Sequence, residues 1–135
     1  MTYIPASLRR LVRDRAGERC EYCLFPVIAA FYPHEIDHVV AEKHDGQTAE
    51  NNLCLSCWFC NRHKGSDLTS IDPQTDAITP LFHPRQDRWE DHFRLIGADI
   101  AGITPQGRTT VRMLHFNDAD QLELRAALIA LGRYP

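Results

Sequence analysis

Cys20-x2-Cys23 and Cys57-x2-Cys60 form two close pairs of thiols separated by 33 residues. Thiolate sulfur suits Zn2+, and four of them close a tetrahedral site with no open position. The spacing predicts one structural zinc ion on Cys20, Cys23, Cys57 and Cys60. Cys54-x2-Cys57 is a competing pair, but Cys54 alternates with Leu53 and Leu55. There a buried free thiol serves as a small hydrophobe. Zinc knuckles usually stand about 15–20 residues apart, so the longer interval marks an insert. It carries Glu35-Ile36-Asp37-His38-Val39-Val40 and Glu50-Asn51-Asn52-Leu53, and the second knuckle runs into Asn61-Arg62-His63-Lys64-Gly65. Asp37 beside His38 offers a hard oxygen for Mg2+ and an imidazole suited to general-base work. Asn61 offers a second oxygen, held in place by its neighbour Cys60.

The elements around these residues must fit in 135 residues, a length for one domain. Seven Gly and eight Pro exclude a collagen-like or low-complexity chain. No apolar run approaches the roughly 18 residues of a membrane span. Met1-Thr2-Tyr3-Ile4-Pro5 lacks the basic start of an export signal, so the expectation is a cytoplasmic protein. An odd cysteine count without such a signal argues against a disulfide framework. The net charge of −3 is not that of a general nucleic-acid binder. Residues 1–65 balance eight basic against eight acidic side chains, and the remainder is acidic. Phosphate contacts must therefore come from a local patch.

Leu8, Leu11, Val12 and Ala16 recur at helical spacing and predict a helix over 6–16, with Ser7 as N-cap and Gly17 as C-cap. Val27–Tyr32 and Glu35–Val40 read as strands, 41–52 as a loop, Leu53–Leu55 as extended, and Asn61 onward as a short helix. Residues 66–90 read as irregular. His92–Ile96 and Val111–Phe116 read as strands, with Thr104-Pro105-Gln106-Gly107 as a turn. Asp118 and Gln121 read as the capping box of a helix reaching Leu131.

Taken together, Asp37-His38, Asn52-Leu53 and Cys57-x2-Cys60-Asn61-x2-Lys64-Gly65, with the lead-in Arg15–Cys23, resemble the HNH nucleases of the ββα-metal fold. Many members have His where this chain has Asn61, although Asn also occurs there in active ones. Residues 80–131 resemble the C-terminal extension of some standalone bacterial members. The resemblance implies an α+β fold: an N-terminal helix in 1–19, a zinc-framed ββα core in 20–68, and an extension in 69–135, together one nuclease domain. It implies hydrolysis of phosphodiester bonds in DNA, with His38 as general base and Asp37 and Asn61 holding one Mg2+ or Mn2+. Asn52 would orient His38 by tying down the intervening loop, and Lys43, Arg62 and Lys64 would meet phosphates. The alternative is a zinc-stabilised module that binds nucleic acid without cutting it.

Overall fold

A computed structural model describes residues 2–135. Helix α1 (Ala6–Ala16) turns Val12 inward with Leu8 and Ala16, and these pack with Ile4, Leu53 and Leu55 in the smaller of two apolar clusters. The helix ends at Gly17, whose φ of 64° suits a residue without Cβ. Its N-cap is Pro5, so Ser7, expected at the cap, lies inside the helix.

Strands β1 (Glu35–His38) and β2 (Leu53–Ser56) pair antiparallel, with Asp37 opposite Cys54 and His38 opposite Leu53. All four residues of β2 are buried. Helix α2 (Trp58–Lys64) follows directly, with the Cys57 sulfur accepting a hydrogen bond from the Cys60 amide at its N-terminus. It starts three residues before the expected Asn61, because that cysteine serves as the cap. β1, β2 and α2 are the ββα unit, and the chain is α+β.

The larger cluster joins the four knuckle cysteines and Tyr22 to Phe82, Phe93, Ile100, Leu114 and Phe116. The C-terminal region thus shares a core with the knuckles. It comprises hairpin β3 (Thr69–Ile71)/β4 (Ile78–Pro80), a turn of helix α3 (Trp89–His92), hairpin β5 (Phe93–Ile96)/β6 (Asp99–Gly102), and helices α4 (Pro105–Met113) and α5 (Ala119–Ala130).

Several local expectations give way. Val27–Tyr32 is not a strand: it makes one 3-10 turn, Val27–Ala29, and leaves Ile28 and Phe31 in solvent. Its apolar composition favours a sheet only where a partner strand exists, and Pro26 and Pro33 bracket it instead. Val111–Phe116 is not a strand either, because α4 runs through Met113. The Thr104-Pro105-Gln106-Gly107 segment starts that helix: Thr104 Oγ1 accepts from the Gly107 amide at 3.0 Å, and Pro105 takes the first helical position. Residues 66–90 hold the β3/β4 hairpin rather than being irregular throughout. Asp118 precedes α5 without a side-chain cap bond.

Asp72 joins that hairpin to α4. Its carboxylate accepts from Arg108 Nε at 3.1 Å and Nη2 at 2.8 Å, and from the Gln74 amide and Thr75 hydroxyl. The Arg108 guanidinium holds the carboxyl down to about 2, from an ordinary 3.8. Between these two values the unfolded chain takes up a proton that the folded chain refuses, so stability falls as pH drops through that window. Urea titrations from pH 4 down to pH 2 should show a shallower loss in Asp72→Asn than in the parent. Equal slopes would remove this pair from the acid response.

Candidate active site

The four cysteine sulfurs lie within 4.8 Å of one another, and those of Cys23 and Cys57 are 3.7 Å apart. Zinc–sulfur bonds of about 2.3 Å in a tetrahedron put sulfurs about 3.8 Å apart, so the cluster fits Zn2+. Amides point at the sulfurs: Tyr22 and Cys23 at Cys20, and Cys60 at Cys57. Such bonds favour the thiolate form that zinc requires. Cys54 stands outside the cluster, in contact with the Tyr22 hydroxyl, and burial pushes its thiol up. The cysteine pairing expected from the spacing is the one the fold assembles.

α2 lies along β1 through two tethers. Asn61 Nδ2 donates to the Glu35 carboxylate, and Lys64 Nζ donates to the Val39 carbonyl at 2.8 Å. Asp37 sits on the strand between these two points. Glu35 and Asp37 are two apart on a strand and so share a face. Asp37 Oδ2 is buried with no partner among the described residues. Burial raises this carboxyl above its ordinary value, against the opposing charges of Lys64 and His38.

His38 ends β1 with its ring turned toward the following loop. Its Nε2 lies 2.9 Å from Thr48 Oγ1 and 3.5 Å from a Glu42 carboxylate oxygen. Asn52 closes that loop. Its Oδ1 accepts from the Val40 amide at 2.9 Å, and its Nδ2 donates to the Val40 and Gln47 carbonyls at 3.0 and 2.9 Å. Gly46 lies so near the Val40 carbonyl that a Cβ there would overlap it. From outside, Arg15 donates to the carbonyls of Glu50 and Leu53 at 2.6 and 2.5 Å and ties the loop's end to α1.

With this geometry the comparisons become specific. Residues 20–67 match the family model described as HNH endonuclease. This segment is an HNH domain. Over 118 residues the chain is also 25% identical to the Septu protein PtuB of Bacillus thuringiensis. That match takes in 86% of this chain and 43% of the relative, so the chain spans less than half that protein's length. No solved structure matches the chain significantly.

Within the HNH domain, Asp37 and His38 are neighbours on β1, Asn61 stands on α2 with its amide on Glu35, and Asn52 reaches His38 only through the loop backbone. Lys43 lies in solvent on the 3-10 turn Glu42–His44. Arg62 is exposed, its guanidinium 3.9 Å above the Trp58 ring. Lys64 corrects the expectation of a phosphate contact: it is 2% exposed, and its ammonium is committed to the Val39 carbonyl. A buried lysine needs such partners. His63 stacks on His115 with ring centroids 4.2 Å apart.

Three residues of this site escaped the sequence reading, Glu42 among them as the fourth residue after His38. Glu35 was visible in principle, through its two-residue offset from Asp37 on one strand. Thr48 had no signal, because it lies ten positions along the chain from His38.

Proposed function

We propose that this chain is a metal-dependent endonuclease that hydrolyses phosphodiester bonds of DNA, as one unit of N-terminal helix (1–19), HNH core (20–68) and extension (69–135). His38 is the general base, and Asp37 and Asn61 hold one Mg2+ or Mn2+. The unpartnered, buried Oδ2 of Asp37 carries the reading. A buried acceptor without a partner is costly, and an ion removes that cost. A carboxylate and an amide oxygen are hard donors, suited to Mg2+ or Mn2+ and distinct from the soft sulfurs of the cysteine cluster.

An ion bound there would offset charge on the phosphate and on the departing oxygen. Thr48 engages Nε2 of His38, which leaves Nδ1 to take a proton from water. The water oxygen bonds to phosphorus, the bond to the 3′ oxygen breaks, and that oxygen takes a proton from solvent. The products carry 5′-phosphate and 3′-hydroxyl ends. The Glu42 carboxylate, 3.5 Å from the ring, stabilises the imidazolium that forms. Exposed Lys43 and Arg62 are the phosphate contacts.

Incubation with supercoiled plasmid, with and without Mg2+ or Mn2+, tests the reading. Asp37→Ala is expected to lower nicking at least about tenfold at limiting Mg2+, with partial recovery when Mg2+ is raised. Unchanged metal dependence would remove Asp37 from the site. DNA shifted in a gel but left intact with every divalent metal would select the non-cleaving module instead.

A further inference from the structure

Where the end of α1 meets the segment between β4 and α3, an open cleft of about 690 Å³ is lined by Arg15, Ala49, Glu50, Asn51, Pro84 and Arg85. Arg85 is 14% exposed and pairs with the Glu21 carboxylate through Nη2. Its Nε is buried with no partner among the described residues, and a buried donor of this kind calls for an acceptor. Burial, and after it the like charge of Arg15, pushes this guanidinium down to about 10. Arg15 spends Nη2 on the Glu50 and Leu53 carbonyls, while its Nε and Nη1 meet no acceptor among the described residues. Two cations on one cleft thus repel each other, and each keeps unused donors.

An anion between them offsets the repulsion and accepts those hydrogen bonds. A carboxylate has two coplanar oxygens, which one guanidinium fork uses up; a phosphate group carries oxygens on a tetrahedron and can meet two forks at once. The carboxylates of the chain do not fill this place. Glu21 also accepts from the Leu55 amide, and the exposed Glu50 side chain makes no hydrogen bond among the described residues. The cleft adjoins the loop that holds His38. Ala49 follows Thr48, whose hydroxyl lies 2.9 Å from His38 Nε2. Leu53, held by Arg15 at 2.5 Å, stands opposite His38 in the sheet, so Arg15 Nη2 lies within about 10 Å of the His38 Cα. We propose that Arg15 and Arg85 form a phosphate-binding site, separate from the residues assigned to the catalytic ion, which takes a phosphate group of DNA or of a free nucleotide. It does not depend on the nuclease reading, because its test measures binding.

The test is a charge ladder on the cleft wall, in the zinc-loaded full chain without added Mg2+. Glu50 and Asn51 are exposed, and their side chains make no hydrogen bond among the described residues. Asn51→Asp, Glu50→Gln and Asn51→Lys therefore change the charge while keeping the fold. The probes are ADP, by calorimetry, and a fluorescein-labelled DNA duplex, by anisotropy at low salt. Glu50→Gln should tighten binding about threefold to fivefold, Asn51→Asp should weaken it as much, and Asn51→Lys should tighten it at least as much as Glu50→Gln. Glu123→Gln, the same change at an exposed position of α5, should stay within about twofold of the parent. A ladder with the duplex assigns the phosphate to DNA, and a ladder with ADP alone assigns it to a free nucleotide; both support the site. No ladder with either probe, or an equal response to Glu123→Gln, overturns it. Polyglutamate that displaces ADP or duplex as readily as inorganic phosphate does also overturns it. Plasmid nicking by a chain without a ladder leaves the nuclease reading standing, and a ladder in a chain that nicks nothing removes that reading alone.

Discussion

His38→Ala is expected to lower Mg2+- or Mn2+-dependent nicking of supercoiled plasmid by about 10²–10⁴-fold, the usual contribution of a positioned general base. The size follows from how fully this ring is held. Thr48 fixes Nε2 at 2.9 Å, Asn52 and Gly46 fix the loop that carries Thr48, and Arg15 fixes the loop's end. The position is thus rigid, and no neighbouring imidazole replaces it: His44 is exposed on the Glu42–His44 turn and His63 stacks on His115. The cost in stability should be small, since the ring gives up one hydrogen bond, worth about 1 kcal/mol. Zinc content and the urea midpoint should therefore stay near the parent's while cleavage is lost. Equal nicking by parent and variant removes His38 from the chemistry.

Loss of the zinc ion should unfold the chain. Structural Zn2+ sites contribute about 10–16 kcal/mol in small domains, which matches or exceeds the roughly 5–15 kcal/mol of net stability of a typical domain. Here the cysteines are not peripheral. They share the larger core with Tyr22, Phe25, Phe93, Ile100 and Phe116, and Tyr134 reaches the Cys23 carbonyl from the far end of the chain at 2.6 Å. Four thiols without an ion leave polar sulfur at the centre of that core, so the C-terminal hairpins and helices should melt together with the knuckles. Cys60→Ala should lose zinc and cooperative unfolding together, as followed by elemental analysis and circular dichroism. Cys54→Ala should keep one zinc per chain, because Cys54 lies outside the cluster. A chelator-treated chain that still unfolds cooperatively, at the parent's midpoint, refutes the structural role.

The legibility of the site tracks how local each constraint is. The four cysteines were readable because a knuckle is a short-range geometry: two sulfurs three residues apart must face one way. Asp37, His38 and Asn61 could be proposed from their types as donors beside those knuckles. Lys64 was misread because its charge suggested solvent, and burial is a property of packing: the Val39 carbonyl reaches it only once α2 lies on β1. The 27–32 segment and Val111–Phe116 failed for a related reason. β-branched and aromatic residues favour strands only against a partner strand, and in the second case the cap at Thr104 and Pro105 outweighed them.

The residue order alone determined the sulfur cluster, the HNH spacing and the helix over 6–16, because each is set by neighbours within a few positions. Only the folded chain decided which face of β1 meets α2, that Thr48 reaches His38, and that Lys64 is buried against the Val39 carbonyl. These arise from contacts between segments far apart in the chain, whose formation depends on shape, burial and partner availability that no local pattern encodes.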